Sequence, residues 1–191
     1  TRFMEIRLAE LQVNKPVAQL KKTGVRDERI SIHLKRAIIA SEDAKFVDHE
    51  GFDWEGMQKA MEKNQKKGRF VAGGSTITQQ LAKNLFLTPS KSYFRKIEEA
   101  IITLMLENLW SKRRIFEVYL NVIEWGNGVF GAEAAARHYY NVSAAQLGPE
   151  QAARLAGMVP TPRYSDRNRS APGLGRKTGI ILGRMPGAEV P

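Results

Sequence analysis

The chain has 191 residues, 42% hydrophobic and 26% charged, which supports a folded core and excludes a disordered chain. It contains no Cys, so a disulfide framework and a thiolate metal site are excluded. Lys and Arg number 30 against 20 Asp and Glu, a net charge of +10 that suits an anionic partner or simply a solvated basic surface. The basic residues form no long run and no RNA-binding signature, so no nucleic-acid partner is expected.

The N-terminal stretch mixes Phe3, Met4, Ile6, Leu8 and Leu11 with Arg2 and Arg7. It suits a helix at a membrane interface or a helix packed on the domain. No segment reaches the roughly 20 apolar residues of a membrane span. The chain begins at Thr1 rather than Met, which reads as a processed or trimmed product with any membrane anchor upstream.

Leu34, Ala37, Ile38, Ser41 and Glu42 follow helical spacing. Glu42 continues the apolar stripe, so its carboxylate is partly desolvated and a stronger base than in water, with Asp43 beside it acting in the same direction. A helix-end carboxylate that caps or pairs is the other reading of the same residues. His49 stands without metal-ligand spacing to the other two His and suits a hydrogen-bonded structural role.

A second helix is expected over 76–87, with Ser75 as N-cap after Gly73-Gly74. Thr76, Gln80 and Lys83 fall within an arc of roughly 60° on it, suited to sugar hydroxyls and a phosphate, or to water. Ile77, Leu81 and Leu85 take another face. Gly68 with Gly73-Gly74-Ser75 nearly spells a phosphate-binding loop, but Gly74 stands where its lysine belongs, so no nucleotide site is expected.

Phe94, Ile97, Ile101, Leu104 and Met105 mark a long third helix. Arg95 and Glu99 share a face of it, either as a surface ion pair or as an arginine held for a leaving diphosphate. Two more helices are expected over 112–124 and 131–140 around the turn Gly126-Asn127-Gly128, and another over 149–158 with Pro149 in the first turn. A short helix is expected near 174–185, weakened by Gly179 and Gly183. Stretches 64–74 and 163–175 read as mobile. Lys177-Thr178-Gly179 matches one element of penicillin-binding transpeptidases, but no Ser-x-x-Lys occurs in the chain, so the match reads as chance.

Together these segments resemble the glycosyltransferase domain of peptidoglycan polymerases, the family shared with class A penicillin-binding proteins. The resemblance runs from about Ile30 to Pro186. It is carried by Glu42-Asp43 with Phe46, His49 and Gly51; by Gly74-Ser75-Thr76 with Thr78-Gln79-Gln80 and Lys83-Asn84; and by Arg95-Lys96 with Glu99. Lys112, Ile115, Glu117 and Tyr119-Leu120-Asn121 match a fourth motif, and Gly126, Gly131, Ala135 and Tyr139 a fifth. Tyr140 departs from the Phe common at its position. The run Glu124 to Gly131, without a transpeptidase domain, resembles the monofunctional Gram-negative type.

The resemblance implies a mainly α, lysozyme-like domain over 1–191 with a smaller membrane-associated lobe. Residues 1–29 would be membrane-proximal, below an upstream membrane helix that is not in this chain. It implies lipid II and the growing glycan strand as substrates, on the periplasmic side of a bacterial inner membrane, with cell-division or elongation proteins as partners. Glu42 would be the general base and Glu99 a second essential acid that holds Arg95. Asp43, Phe46, His49, Ser75, Thr76, Gln80, Lys83, Asn84, Arg95 and Lys96 would bind substrate. A divalent cation, Mg or Mn, near Asp43 is expected in some members. The rival readings are a lysozyme-like glycan hydrolase and a basic binding module.

Overall fold

The computed structural model describes residues 1–69, 73–88 and 92–191. The elements run α1 (Arg2–Asn14), β1 (Lys21–Lys22), α2 (Ile32–Glu42), α3 (Trp54–Lys67), α4 (Ile77–Phe86), α5 (Tyr93–Leu109), α6 (Lys112–Val122), β2 (Glu124–Gly126), β3 (Val129–Phe130), α7 (Ala132–Tyr140), α8 (Pro149–Met158), α9 (Pro162–Arg167) and α10 (Pro172–Arg184). The mainly α expectation holds.

Small side chains set the centre of the core. Ala37 on α2 and Ala152, Ala153 and Ala156 on α8 are fully buried, so the backbones of α2, α8 and α10 approach closely. A Cβ on Gly157 would lie 3.1 Å from Leu174 Cδ1, which ties α8 to α10. On the other side α4 packs on α5 and α6, and Phe46, Phe116 and Tyr119 fill the space between, with ring centroids 5.6 and 6.5 Å apart. Each such buried aromatic or aliphatic side chain contributes about 1.5–3 kcal/mol.

Beyond Val122 the chain leaves the helix expected over 112–124, and Glu124 enters a small sheet ordered β1-β3-β2. The strand β3 runs parallel to β1 and antiparallel to β2. Gly131 then caps α7 at φ +87, where a Cβ would lie 2.9 Å from the Asn121 carbonyl, so a side chain is excluded.

Several expectations change. The cap of α4 is Thr76, not Ser75: its hydroxyl accepts from Gln79 N–H (3.3 Å) and the Gln79 side chain returns to Thr76 N–H (3.0 Å). The stretch 163–175 holds most of α9 and the start of α10 and is largely helical. Of 64–74, residues 64–67 complete α3, Gly68 closes it at φ +62, and 70–72 lie outside the described residues. The helix α5 forms as expected, but the apolar stripe that marks it points outward. Phe94 is 81% exposed and Ile97 57%, whereas Glu99 (3%) and Thr103 (0%) face the protein. The helix α1 packs on the domain through Met4 and Arg7.

Candidate active site

The helix α2 stops at Glu42 because Asp43 turns to φ −159. Consecutive carboxylates therefore go opposite ways. Asp43, only 6% exposed, accepts from His49 Nε2 (2.9 and 3.0 Å) and from Ile77 N–H (3.0 Å), the first amide of α4. An anion at that helix start is favourable and pins α4 against α2. Gly51 N–H donates to His49 Nδ1 (3.2 Å), which leaves Nε2 as the nitrogen that donates to Asp43. Thr76 Oγ1 donates to the Gly51 carbonyl (2.6 Å). Asp43, His49, Gly51 and Thr76 thus form a bracket that fixes where α4 begins.

One turn along α4 the bracket delivers Gln80 to Glu42. Gln80 Nε2 donates to Glu42 Oε2 (3.2 Å), and Ser41 Oγ donates to Glu42 Oε1 (3.0 Å). The half-buried Glu42 lines a cavity of about 1270 Å³. Ser41, Ser75, Gln80, Lys83 and Asn84 share its wall. The far walls come from Phe3 and Arg7 of α1, Lys63 of α3, Arg163 and Arg167 of α9, and Lys177 and Arg184 of α10. The other lining acid, Glu124, is engaged by Arg7 Nε (3.1 Å) and Nη2 (2.8 Å) and by Gly128 N–H (3.3 Å).

Burial lowers the pKa of Lys83. Glu99 and Glu42 oppose that shift, and Arg95 and Lys96 add to it. Of these, Glu42 lines the cavity, and Arg95, Lys96 and Glu99 act on Lys83 from outside its lining. Glu99 accepts from Arg95 Nη1 (3.3 Å) and from Lys96 Nζ. Among the described residues Arg95 Nε is buried with no hydrogen-bond partner. A buried donor left open beside a cation is suited to a phosphate oxygen. Burial also lowers the pKa of Lys177, and Glu42 opposes it.

A sequence model of the transglycosylase family matches residues 9–186. The chain belongs to this family. It is 87% identical over 191 residues to the biosynthetic peptidoglycan transglycosylase of Dechloromonas aromatica (strain RCB), covering all of this chain and 83% of that protein. It is 67% identical over 189 residues to the protein of that name in Methylobacillus flagellatus, covering 99% and 82%. Against that of Azoarcus sp. (strain BH72) the identity is 64% over 191 residues, covering 100% and 82%.

In this transglycosylase chain the residues expected to bind substrate separate by position. Ser75, Gln80, Lys83 and Asn84 line the cavity with Glu42, and Arg95, Lys96 and Glu99 group around Lys83. Asp43, His49 and Thr76 are spent on the bracket. Phe46 is fully buried against Phe116, with the Lys112 ammonium 4.6 Å over its ring. Sequence reasoning missed Lys177 as a site residue. Its Lys-Thr-Gly context was a distraction, and only the packing of α10 on α2 and α8 brings it to Glu42. Arg184 reaches the cavity by the same packing, and Arg163 and Arg167 by the packing of α9 on β2 and α8.

Asp43 does not fit a cation site. Its oxygens already accept from His49 and Ile77, and among the described residues no three acidic or imidazole side chains converge as metal ligands.

Proposed function

We propose that this chain joins lipid II into linear β-1,4-linked glycan strands by inverting glycosyl transfer. Glu42 removes the proton from the acceptor 4-hydroxyl as that oxygen attacks the donor anomeric carbon. The bond from that carbon to the diphosphate oxygen breaks, and undecaprenyl diphosphate leaves with the electron pair. Lys83 and Arg95 are suited to take up the leaving charge, with Glu99 holding Arg95 in place.

The observation that carries this reading is the charge arrangement of the cavity: one available carboxylate, Glu42, facing walls rich in Lys and Arg. An inverting hydrolase needs a second carboxylic acid to protonate a poor leaving group. Glu124 is bound to Arg7 and poorly suited to that task. A diphosphate leaves as an anion and needs cations instead.

The outward apolar face of α5 supports work at a lipid surface, where the donor's polyprenyl chain resides. Among the described residues no helix is long and apolar enough to cross a membrane. The reading places the domain on the periplasmic face of a bacterial inner membrane. Incubation with labelled lipid II tests the reaction: lengthening glycan with released undecaprenyl diphosphate is expected. Shortening of preformed glycan, with no polymer made from lipid II, would establish a hydrolase instead.

A further inference from the structure

Tyr119 lies in the middle of α6, fully buried, with its ring stacked on Phe116 (6.5 Å between centroids, 13° between planes). Its hydroxyl nevertheless reaches out of the core and donates to Gln80 Oε1 (2.9 Å). The other end of the same amide, Gln80 Nε2, donates to Glu42 Oε2 (3.2 Å) and lies 3.5 Å from the Ser75 carbonyl. Tyr119, Gln80 and Glu42 therefore form one directed chain of donors.

The direction matters because an amide has two faces. Turned one way Gln80 offers Glu42 an N–H, and turned the other way it offers a carbonyl oxygen that repels a carboxylate. A hydroxyl that donates to Gln80 Oε1 selects the first. Tyr119 is suited to stay a donor: burial, then Glu42 and Asp43, push its pKa well above the ordinary phenol value, so it keeps its proton.

We propose that Tyr119 is a positioning residue for the transfer reaction, setting the amide of Gln80 so that it presents its N–H to Glu42 and fixes Oε2. The inference rests on the reading of Glu42 as general base. Tyr119 does not line the cavity and acts through Gln80. Ser41 from α2 fixes the other oxygen, Oε1, which is independent of this chain.

Tyr119→Phe keeps the ring and its stacking and deletes only the donor. Gln80 then samples both orientations. With lipid II, kcat is expected to fall about tenfold, which is the size of one hydrogen bond to a charged group, while KM stays within about twofold. The acid limb of the pH–rate profile moves to higher pH, because a carbonyl facing Glu42 favours its protonated form. The other groups facing Glu42 are the ammoniums of Lys83 from α4 and Lys177 from α10, with Asp43 adjacent in sequence. The substitution leaves both lysines and Asp43 unchanged. A side chain that only packs would move neither kcat nor this limb.

Gln80→Leu is the companion variant: its loss in kcat is expected to be at least as large, since Gln80 also lines the cavity, and adding Tyr119→Phe to it costs nothing further. If Tyr119→Phe does not fold, Gln80→Leu alone carries the test through the same acid limb. Glu42→Gln in the same assay keeps the two ideas apart. Active Glu42→Gln overturns the base itself. Inactive Glu42→Gln with a wild-type rate and profile in Tyr119→Phe, or in Gln80→Leu, overturns the positioning role.

Discussion

Replacing Glu42 by Gln removes a charge and almost nothing else. The two side chains have the same shape. Gln80 presents N–H to Oε2 at 3.2 Å, so the new amide must turn its oxygen toward Gln80 and its NH2 toward Ser41. The Ser41 hydroxyl can accept there, since its own hydrogen has a second acceptor in the Ala156 carbonyl at 3.5 Å. No buried group loses its partner, so stability is expected to change by no more than about 0.5 kcal/mol. The amide cannot take a proton from the acceptor hydroxyl. General base catalysis supplies about 100- to 10,000-fold, or about 2.7–5.5 kcal/mol of barrier. A gel of fluorescent lipid II products, read with diphosphate release and a thermal melt, measures all of this. A folded Glu42→Gln that polymerises within tenfold of the wild-type rate would refute the assignment.

Lys83→Ala and Arg95→Ala should each raise the donor KM by about tenfold or more, the scale of a charge-assisted hydrogen bond; melting should change little for Lys83→Ala and fall for Arg95→Ala, which leaves the buried Glu99 with Lys96 as its remaining cation; near-wild-type donor kinetics in both would remove the anion role. Because burial lowers the Lys83 pKa, the ammonium discharges below the ordinary lysine range, so donor use should fall as pH rises, and Lys83→Arg should move that fall to higher pH in a kcat/KM profile. Lys177→Met should lower kcat/KM about tenfold, roughly one charge contact, while keeping or raising the melting temperature. The sign follows from burial: a lowered lysine pKa means the fold disfavours the charge, so removing it does not destabilise. Ile97→Asn with Ile101→Asn, on the outward face of α5, should weaken flotation with lipid vesicles and slow turnover of long-chain lipid II, while leaving a water-soluble short-chain analogue unaffected. Equal loss on both substrates would point to damage within the site.

Helices whose apolar stripe meets the core were legible in the sequence. The spacing of Leu34, Ala37 and Ile38 and the position of Pro149 locate α2 and α8 closely. The helix α3 was not legible, because Ala60 is its only buried residue and its apolar content is sparse. The signals that could have found it are local: Asp53, whose Oδ1 accepts from Gly56 N–H at 2.9 Å, and Gly68 closing the helix in the left-handed region. Periodicity revealed α5 but not which way it faces. A moment gives the direction of an apolar stripe on the helix, and neither a core nor a lipid surface is named by it. Within the site, Glu42, Gln80 and Lys83 are two adjacent helix ends, so sequence spacing could place them. Lys177 arrives from 135 positions beyond Glu42 through the packing of α10, and no local pattern carries that information.

The sequence also ran two kinds of residue together that the fold separates. Glu42 and Asp43 are neighbours with the same chemistry, yet the turn between them sends one into the cavity and the other into the α4 bracket. The bracket is what makes the first one useful. If Asp43 did not hold the first amide of α4, Gln80 would have no fixed distance from Glu42, and Lys83 on the same helix would shift with it. The charge balance then completes the chemistry. The surplus of basic residues concentrates where Glu42 looks, from α3, α9 and α10 as well as α4. The acid that could have served a hydrolase is bound by Arg7 from α1. A single carboxylate base beside cations on two sides suits a reaction in which one hydroxyl must lose a proton and one diphosphate must leave without gaining one.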